Sequence, residues 1–342
     1  MSEVPNPVVT GALDKLASGA DISAQEAAEV LAQIMTGEVS HAQIAGFLIA
    51  LRTKGETVEE IAGLARTMRA LATPVSVARE GLVDTAGTGG GRSTFNVSTT
   101  AALIAAATGC AVAKHGNRSA TSRSGSADLL EALGARIDLS PDAVARCIEE
   151  VGFGFMFAPT HHQATRFVVP VRRDLAVRTI FNFLGPLTNP AGARRQLVGV
   201  GDSTYQETLA GALAMLGVER ALVVASEDGL DEISASGPTR IIEVNGERIE
   251  RYTITPADLD IEAVGEDGLA GGDPAYNAAV TRAIFSGQAG GARELAVANA
   301  GATIYAAGRA DSLREGVGAA RAALDDGRAL ATLEAYITAS NA

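Results

Sequence analysis

Lysine and cysteine are scarce in this chain of 342 residues: the lysines are Lys15, Lys54 and Lys114, the other basic residues are arginines, and the cysteines are Cys110 and Cys147. Two cysteines with no C-x-x-C spacing and no clustered histidines provide neither a disulfide framework nor a zinc site, so buried free thiols are expected. With no lysine following a glycine, a Walker A phosphate loop is excluded. Long apolar runs are also missing. The longest uncharged small-residue stretch, Thr99 to Ala113, is too short to span a bilayer and is interrupted by Thr108 and Gly109. Met1-Ser2-Glu3-Val4-Pro5 lacks the basic start and apolar centre of a signal peptide, so a soluble cytoplasmic protein is expected. A net charge of -12 gives no extended basic surface, which argues against a general nucleic-acid or anionic-membrane binder.

What is present is enough apolar residue, 47%, for one large or two medium cores, and disorder is excluded. Three capping boxes mark helix starts in the first seventy residues: Ser23 with Glu26, Ser40 with Gln43, and Thr57 with Glu60. Each precedes a stripe of 3.6-residue period, Gly37 and Gly55 end the first two helices, and Pro74 closes what reads as a small helical bundle. Beyond it, short strands alternate with helices, the pattern of a mainly parallel sheet covered by helices. Candidate strands are 81–84, 111–113, 136–139, 153–157, 196–200 and 221–225, and Asn245-Gly246 is the turn of a hairpin with arms 240–244 and 248–253. Ser140-Pro141 starts a helix that Gly152 stops, and two helical stretches complete the chain. The expected class is therefore α/β: residues 1–75 as a helical domain, and residues 76–342 as an α/β domain.

Charge is unevenly distributed. Residues 85–127 hold no Asp or Glu but contain Arg92, Lys114, Arg118 and Arg123; residues 151–201 hold one acid, Asp174, against six arginines. These windows carry +4 and +5, leaving -21 on the rest. Such segregation points to an anion site focused inside an acidic protein, with some of Arg166, Arg173, Arg194 and Arg195 simply solvated or paired elsewhere. The first window opens with Asp84-Thr85-Ala86-Gly87-Thr88-Gly89-Gly90-Gly91-Arg92, between a strand and a helix. Its glycines would let backbone N–H groups approach a phosphate, although a plain tight loop has the same composition. A Rossmann fingerprint fails because Arg92 stands where glycine is needed and no acid follows at ribose distance. A second loop, Lys114 to Asp128, strings cations, hydroxyls and glycines together, with Ser126 placed to cap the following helix. The adjacent acids Asp231 and Glu232 could hold magnesium beside phosphates, while His161-His162 read as packing or pocket-lining residues.

Taken together, these segments resemble the anthranilate phosphoribosyltransferase family. The resemblance is carried by Gly87-Thr88-Gly89-Gly90, Thr94 to Thr99, Lys114 to Asp128, Pro170 to Arg173 running into Arg178-Thr179-Ile180-Phe181-Asn182, Gly185 to Pro190, and Asp228 to Glu232. It implies Mg2+-dependent transfer of a phosphoribosyl group from 5-phosphoribosyl 1-diphosphate (PRPP) to anthranilate, in tryptophan biosynthesis. It further implies a small α domain and a large α/β domain with the site in the hinge cleft, a segment near 174–187 returning to the helices, and a homodimer formed through the helical domain. The PRPP residues it implies are Gly87, Gly90, Gly91, Thr94, Asn96, Val97, Ser98, Thr99, Lys114, His115, Gly116, Asn117, Arg118, Ser119, Ala120, Thr121, Ser122 and Ser126. Gly87, Asn117 and Arg172 would meet anthranilate, Arg172 at its carboxylate. Ser98, Asp231 and Glu232 would hold magnesium, two ions in all, and no acid–base residue is assigned.

The chain departs from the family pattern at three places. The usual Gly-Thr-Gly-Gly-Asp ends here in Gly91, with a path to Thr94 one residue shorter; Arg123 replaces a lysine; and the His-Gly before the acidic motif is replaced around Ala225 and Ser226. Two other readings remain open on these residues: a non-catalytic nucleic-acid-binding relative of the same fold, and a nucleoside phosphorylase.

Overall fold

Four helices, not three, open the chain: α1 (Pro7–Ala17), α2 (Ala24–Met35), α3 (His41–Lys54) and α4 (Val58–Leu71). The additional one, α1, begins with an Asn cap rather than a hydroxyl box: Asn6 Oδ1 accepts the N–H groups of Val8 and Val9, with Pro7 at the first helical position. The boxes at Ser23 and Thr57 close reciprocally. At Ser40 only half forms, because the Gln43 amide turns to α1, accepting from Asn6 N–H and donating to Asn6 O. The computed structural model describes residues 4–119, 123–265 and 269–342.

The α/β body starts with β1 (Val83–Gly87), α5 (Val97–Ala107), β2 (Val112–Gly116), α6 (Ser126–Leu133), α7 (Pro141–Val151) and β3 (Phe153–Phe157). It continues through α8 (Ala158–His161), α9 (Val169–Leu175), α10 (Phe181–Leu187), β4 (Arg195–Gly199), α11 (Gln206–Met215) and β5 (Arg220–Ser226). A hairpin, β6 (Thr239–Asn245) and β7 (Arg248–Ile254), turns at Gly246, whose φ is +59°. The seven strands run in the order β3-β2-β1-β4-β5-β6-β7, parallel except for the β5–β6 and β6–β7 pairs.

Residues 136–139, expected as a strand, do not join this sheet. Ile137 and Leu139 are buried as alternation requires, but β3 already forms the edge, and the Arg136 N–H is taken by Ser340 Oγ of the last helix. The end of the chain carries four helices where two were expected: α12 (Pro274–Phe285), α13 (Gly291–Ala306), α14 (Leu313–Asp325) and α15 (Arg328–Asn341). Their alanine-rich sequence reads as continuous, and the breaks fall at short turns that include Gly287, Gly308 and Gly327 at positive φ. Ser126 is not the cap of α6; it is the first helical residue after Gly125, whose N–H is accepted by Asp128 Oδ2 at 2.8 Å.

Side-chain alternation along the strands sorts the interior into two cores. Val83, Leu197, Leu222, Val224 and Ile241 face one, packed with α5 and α13. Val198, Val200, Val223, Ile242 and Val244 face the other, which runs on through α11 and α10 into α2, α3 and α4. The helical bundle is thus seated on one face of the sheet. Arg69 ties it to α10 by donating to Leu187 O at 2.6 Å.

Candidate active site

The chain leaves β1 toward β2 on one side, while β4 lies on the other, so β1 and β4 flank the point where strand order reverses. In open parallel sheets, ligands bind in the crevice beyond the carboxyl ends at that point. The glycine loop after β1, the end of β2, Gly199–Gly201 after β4 and residues 227–232 after β5 all emerge there.

These loops are hydrogen-bonded to one another through their backbone N–H groups. Thr88 N–H donates to Gly199 O at 2.9 Å, Arg92 N–H to Gly229 O at 2.7 Å, and Gly89 N–H to Asp231 Oδ2 at 3.1 Å. A Cβ at Gly91 would stand 2.9 Å from both Asp231 N and Gly229 O. The absence of a side chain at 91 is what lets the short loop lie directly on the acidic one, where the Arg92 guanidinium stands 3.5 Å from Asp228.

Behind the loop, Asn96 is not used as a side-chain cap for α5. Its Oδ1 accepts from Ser124 Oγ and Asn277 Nδ2, both at 2.9 Å, and its Nδ2 donates to Ser124 O at 3.0 Å. The first loop is thereby tied to the second, and the N-terminus of α5 is left without a side-chain cap, as anion recognition requires. Lys114 is wholly buried, donating to Thr85 O at 2.5 Å and to Ser98 Oγ at 3.4 Å. Burial lowers it to about 8, against the opposing charges of Asp84 and Glu232, so it is cationic at neutral pH. Asp84 is equally buried; it accepts from His115 N–H at 3.1 Å and from Asn189 Nδ2 at 2.7 Å. Sequence reasoning did not assign Asp84 or Asn189 a role. The available signal was a lone acid at the edge of an acid-free stretch.

Asp231 and Glu232 sit side by side. Burial raises both, and Glu232 is raised further by Asp231 and Asp228. Glu232 Oε2 and Asp228 Oδ1 are enclosed with no hydrogen-bond partner. Crowded, under-satisfied carboxylate oxygens facing a glycine loop are a donor set that suits a hard divalent cation.

Other expected residues fall as follows. Thr94 is half-buried, and the Val97 and Thr99 side chains are inside the core, Thr99 Oγ1 without a partner. Gly116 lies against Phe155 and Ser126, and Asn117 is exposed with its Oδ1 bonded to Arg118 N–H. Arg118 turns away to Asp128 and Glu131 on α6, and Ser119 N–H also bonds Asp128. Ala120, Thr121 and Ser122 lie outside the described residues. Arg172, on α9, is half-buried, 5.5 Å from the Phe181 ring centroid and 3.5 Å from Asn182 Oδ1. Burial lowers its guanidinium from the usual arginine range. Arg194 and Arg195 pair with Glu219, and both cysteines are free and buried.

The histidines pack α8 to α10 beneath the site. His115 Nδ1–H donates to Gly185 O at 3.1 Å, His162 Nε2–H to Thr188 O at 3.1 Å, and their rings lie 5.0 Å apart. Burial, chiefly, pushes His115 down to about 3 and His162 to about 4. Both are depressed below their unfolded value, so the stability they confer is full above pH ~6.5 and is lost as pH falls toward those values. At ~1.4 kcal/mol per pH unit each, the pair costs about 4 kcal/mol at pH 5. We expect denaturant midpoints to drop between pH 7 and 5, and a His162→Gln variant to lose about half of that drop. Parallel losses in both proteins would remove His162 from the account.

Among the described residues no helix is long and apolar enough to cross a membrane. Residues 79–330 match the α/β domain of the glycosyl transferase family, and residues 10–72 match that family's helical bundle domain. The anthranilate phosphoribosyltransferase of Rubrobacter xylanophilus is 55% identical over 96% of each chain, and that of Moorella thermoacetica 51% identical over 95% of this chain and 96% of its own. The crystal structure of anthranilate phosphoribosyltransferase from Thermus thermophilus superposes with a TM-score of 0.92 at 46% identity, covering 97% of this chain and 99% of that one. The enzyme from Saccharomyces cerevisiae in complex with PRPP and Mg superposes at 0.90, with 26% identity and 99% coverage of both chains.

Proposed function

Because the chain belongs to the anthranilate phosphoribosyltransferase family, we infer that it transfers the phosphoribosyl group of PRPP to the amine of anthranilate, giving N-(5-phosphoribosyl)anthranilate and diphosphate. The observation that carries this reading is the convergence, at the carboxyl end of the central strands, of an uncapped helix N-terminus, a glycine loop, the buried cation Lys114 and the pair Asp231–Glu232.

Breaking the bond between ribose C1 and diphosphate builds negative charge on the leaving group and positive charge on the sugar. The useful protein groups are then fixed dipoles and cations aimed at the diphosphate. In this assignment the Gly87–Gly91 backbone, Asn96 and the α5 terminus hold the phosphates, and Lys114 adds charge from below. Val97 and Thr99 contribute through backbone only, since their side chains are in the core. Arg118, held by Asp128 and Glu131, stays outside the contact set. Asp231, Glu232 and Ser98 would hold Mg2+, in up to two ions, which when bound screens the diphosphate as its charge develops. Anthranilate carries a neutral aromatic amine at pH 7, so orientation matters more than proton removal. Arg172, with Asn117 and Gly87 at the border, provides a carboxylate anchor for that purpose. A place in tryptophan biosynthesis, a cytoplasmic location and a homodimer through the helical bundle complete the proposal.

The test is consumption of anthranilate, followed by its fluorescence. We expect it only when PRPP and Mg2+ are both supplied, and a chelator should stop it. No consumption with both present overturns the reading. Phosphate-dependent release of a base from a nucleoside would replace it with a phosphorylase.

A further inference from the structure

Arg178 lies in the connection between α9 and α10, and it is gripped at both ends. Its carbonyl accepts a hydrogen bond from Arg52 Nη1 on α3 at 2.7 Å, which fixes its backbone to the helical bundle. Its side chain reaches the opposite way, to the glycine loop. Nη1 donates to Gly89 O at 2.8 Å and Nη2 to Thr88 O at 3.1 Å, and the guanidinium stands 5.7 Å from the Phe183 ring centroid.

The Gly89 peptide is consequently held on both edges, its N–H by Asp231 and its C=O by Arg178. The next residue explains how the guanidinium fits. Gly90 has φ +87°, and a Cβ there would collide with Arg178 Nη1, so the space a side chain would take is filled by the arginine.

We propose that Arg178 is a positioning residue for the diphosphate subsite, its planar fork fixing the Thr88–Gly89 carbonyls so that the loop is ordered before PRPP arrives. The inference rests on the phosphoribosyltransferase reading and deepens it. A loop of consecutive glycines has more conformational freedom to lose on binding a ligand than any other sequence. Hydrogen bonds from a charged donor to two successive carbonyls remove that freedom in advance, and preorganisation of this kind appears as affinity. A lysine could supply the charge but not the two-pronged geometry. Because the Arg178 backbone is bonded to α3, the same residue couples the position of the helical bundle to the loop.

The test compares Arg178→Lys and Arg178→Ala with the parent in two measurements. In steady-state kinetics we expect both variants to raise KM for PRPP roughly 10- to 100-fold, the range for losing hydrogen bonds to a charged group. KM for anthranilate should move less than about threefold. The lysine variant should recover little of the loss. In hydrogen exchange of the ligand-free protein, amides of residues 88–91 should exchange faster in both variants, while core strands keep their protection.

Equal rises in both KM values, or parent-like KM for PRPP, overturn the proposal. So does full rescue by lysine, which would make Arg178 a simple charge contact. Unchanged exchange at 88–91 overturns it independently of turnover. If the parent itself fails to consume anthranilate, the functional reading fails, and the exchange measurement still decides whether Arg178 orders the loop.

Discussion

Replacing Asp231 with Asn and Glu232 with Gln in one protein is expected to lower turnover by about 10³-fold or more, while the metal-free variant should melt no earlier than the parent. The two effects have opposite signs because the same crowding serves one and costs the other. In the metal-free protein, burial disfavours the charged form of both carboxylates, and the Asp231 charge disfavours that of Glu232 further. Glu232 Oε2 has no partner at all, and Asp228 adds a third acid close by. The amides keep the shape and the Gly89 N–H···Oδ contact while removing the repulsion, so folding loses nothing. Catalysis loses the groups assigned to the cation. Thermal melts with and without Mg2+ and PRPP separate the two: the parent should gain stability from the ligands, as mass action requires, and the variant should not. A variant that keeps a tenth of parental activity would move the metal site elsewhere. One that melts several degrees lower would mean that the carboxylates stabilise the loop more than they repel each other.

The parts of this molecule legible in its sequence are those fixed by local chemistry. Ser23 and Thr57 close their boxes within four residues, Phe153–Phe157 is a strand with the expected bounds, and the hairpin turns where Gly246 takes a positive φ, one residue later than expected, with Gly246 and Glu247 in the turn and Asn245 still in β6. The glycine loop and the Asp231–Glu232 pair were likewise readable, being contiguous. Where a residue's partner lies far along the chain, local pattern misleads. Residues 136–139 alternate like a strand, but their hydrogen bonding belongs to Ser340, two hundred positions away. Ser40 begins a box that Gln43 leaves for Asn6. The positive windows mark the cleft only in part, for the same reason. Arg118 and Arg195 carry the right sign and are engaged by Glu131 and Glu219 instead. From the same windows, Arg92, Lys114 and Arg178 bond at the glycine loop or at the strand and helix that flank it. The missing carboxylate at Gly91 also needed the third dimension, since only the contact with Gly229 and Asp231 explains why a bare backbone fits there.

Lys114→Met should be the most damaging single substitution, because it removes a charge on which two enclosed acids depend. The lysine side chain is 1% exposed and Asp84 is 0% exposed. Asp84 has two neutral donors, His115 N–H and Asn189 Nδ2, but among the opposing influences on its burial the Lys114 charge is the largest. Glu232 leans on the same ammonium. Methionine matches the length and apolar character of the lysine stem, so little packing is lost, and what remains is buried charge without its counter-charge. Breaking such an arrangement from one side costs about 3–5 kcal/mol, which for a domain of this size is on the order of 10 °C in Tm. Turnover should fall with it, since Ser98 Oγ and the N-terminal end of α5, to which we assign the phosphates, lose the cation beneath them. The two losses can be told apart by assaying well below the lowered Tm, where the variant is folded and only the missing charge acts. A variant as stable as the parent would mean that Asp84 is held neutral in the folded protein. The lysine would then be retained for the substrate alone, and its ammonium would have to be held in that pocket by Thr85 O and Ser98 Oγ without help from a carboxylate.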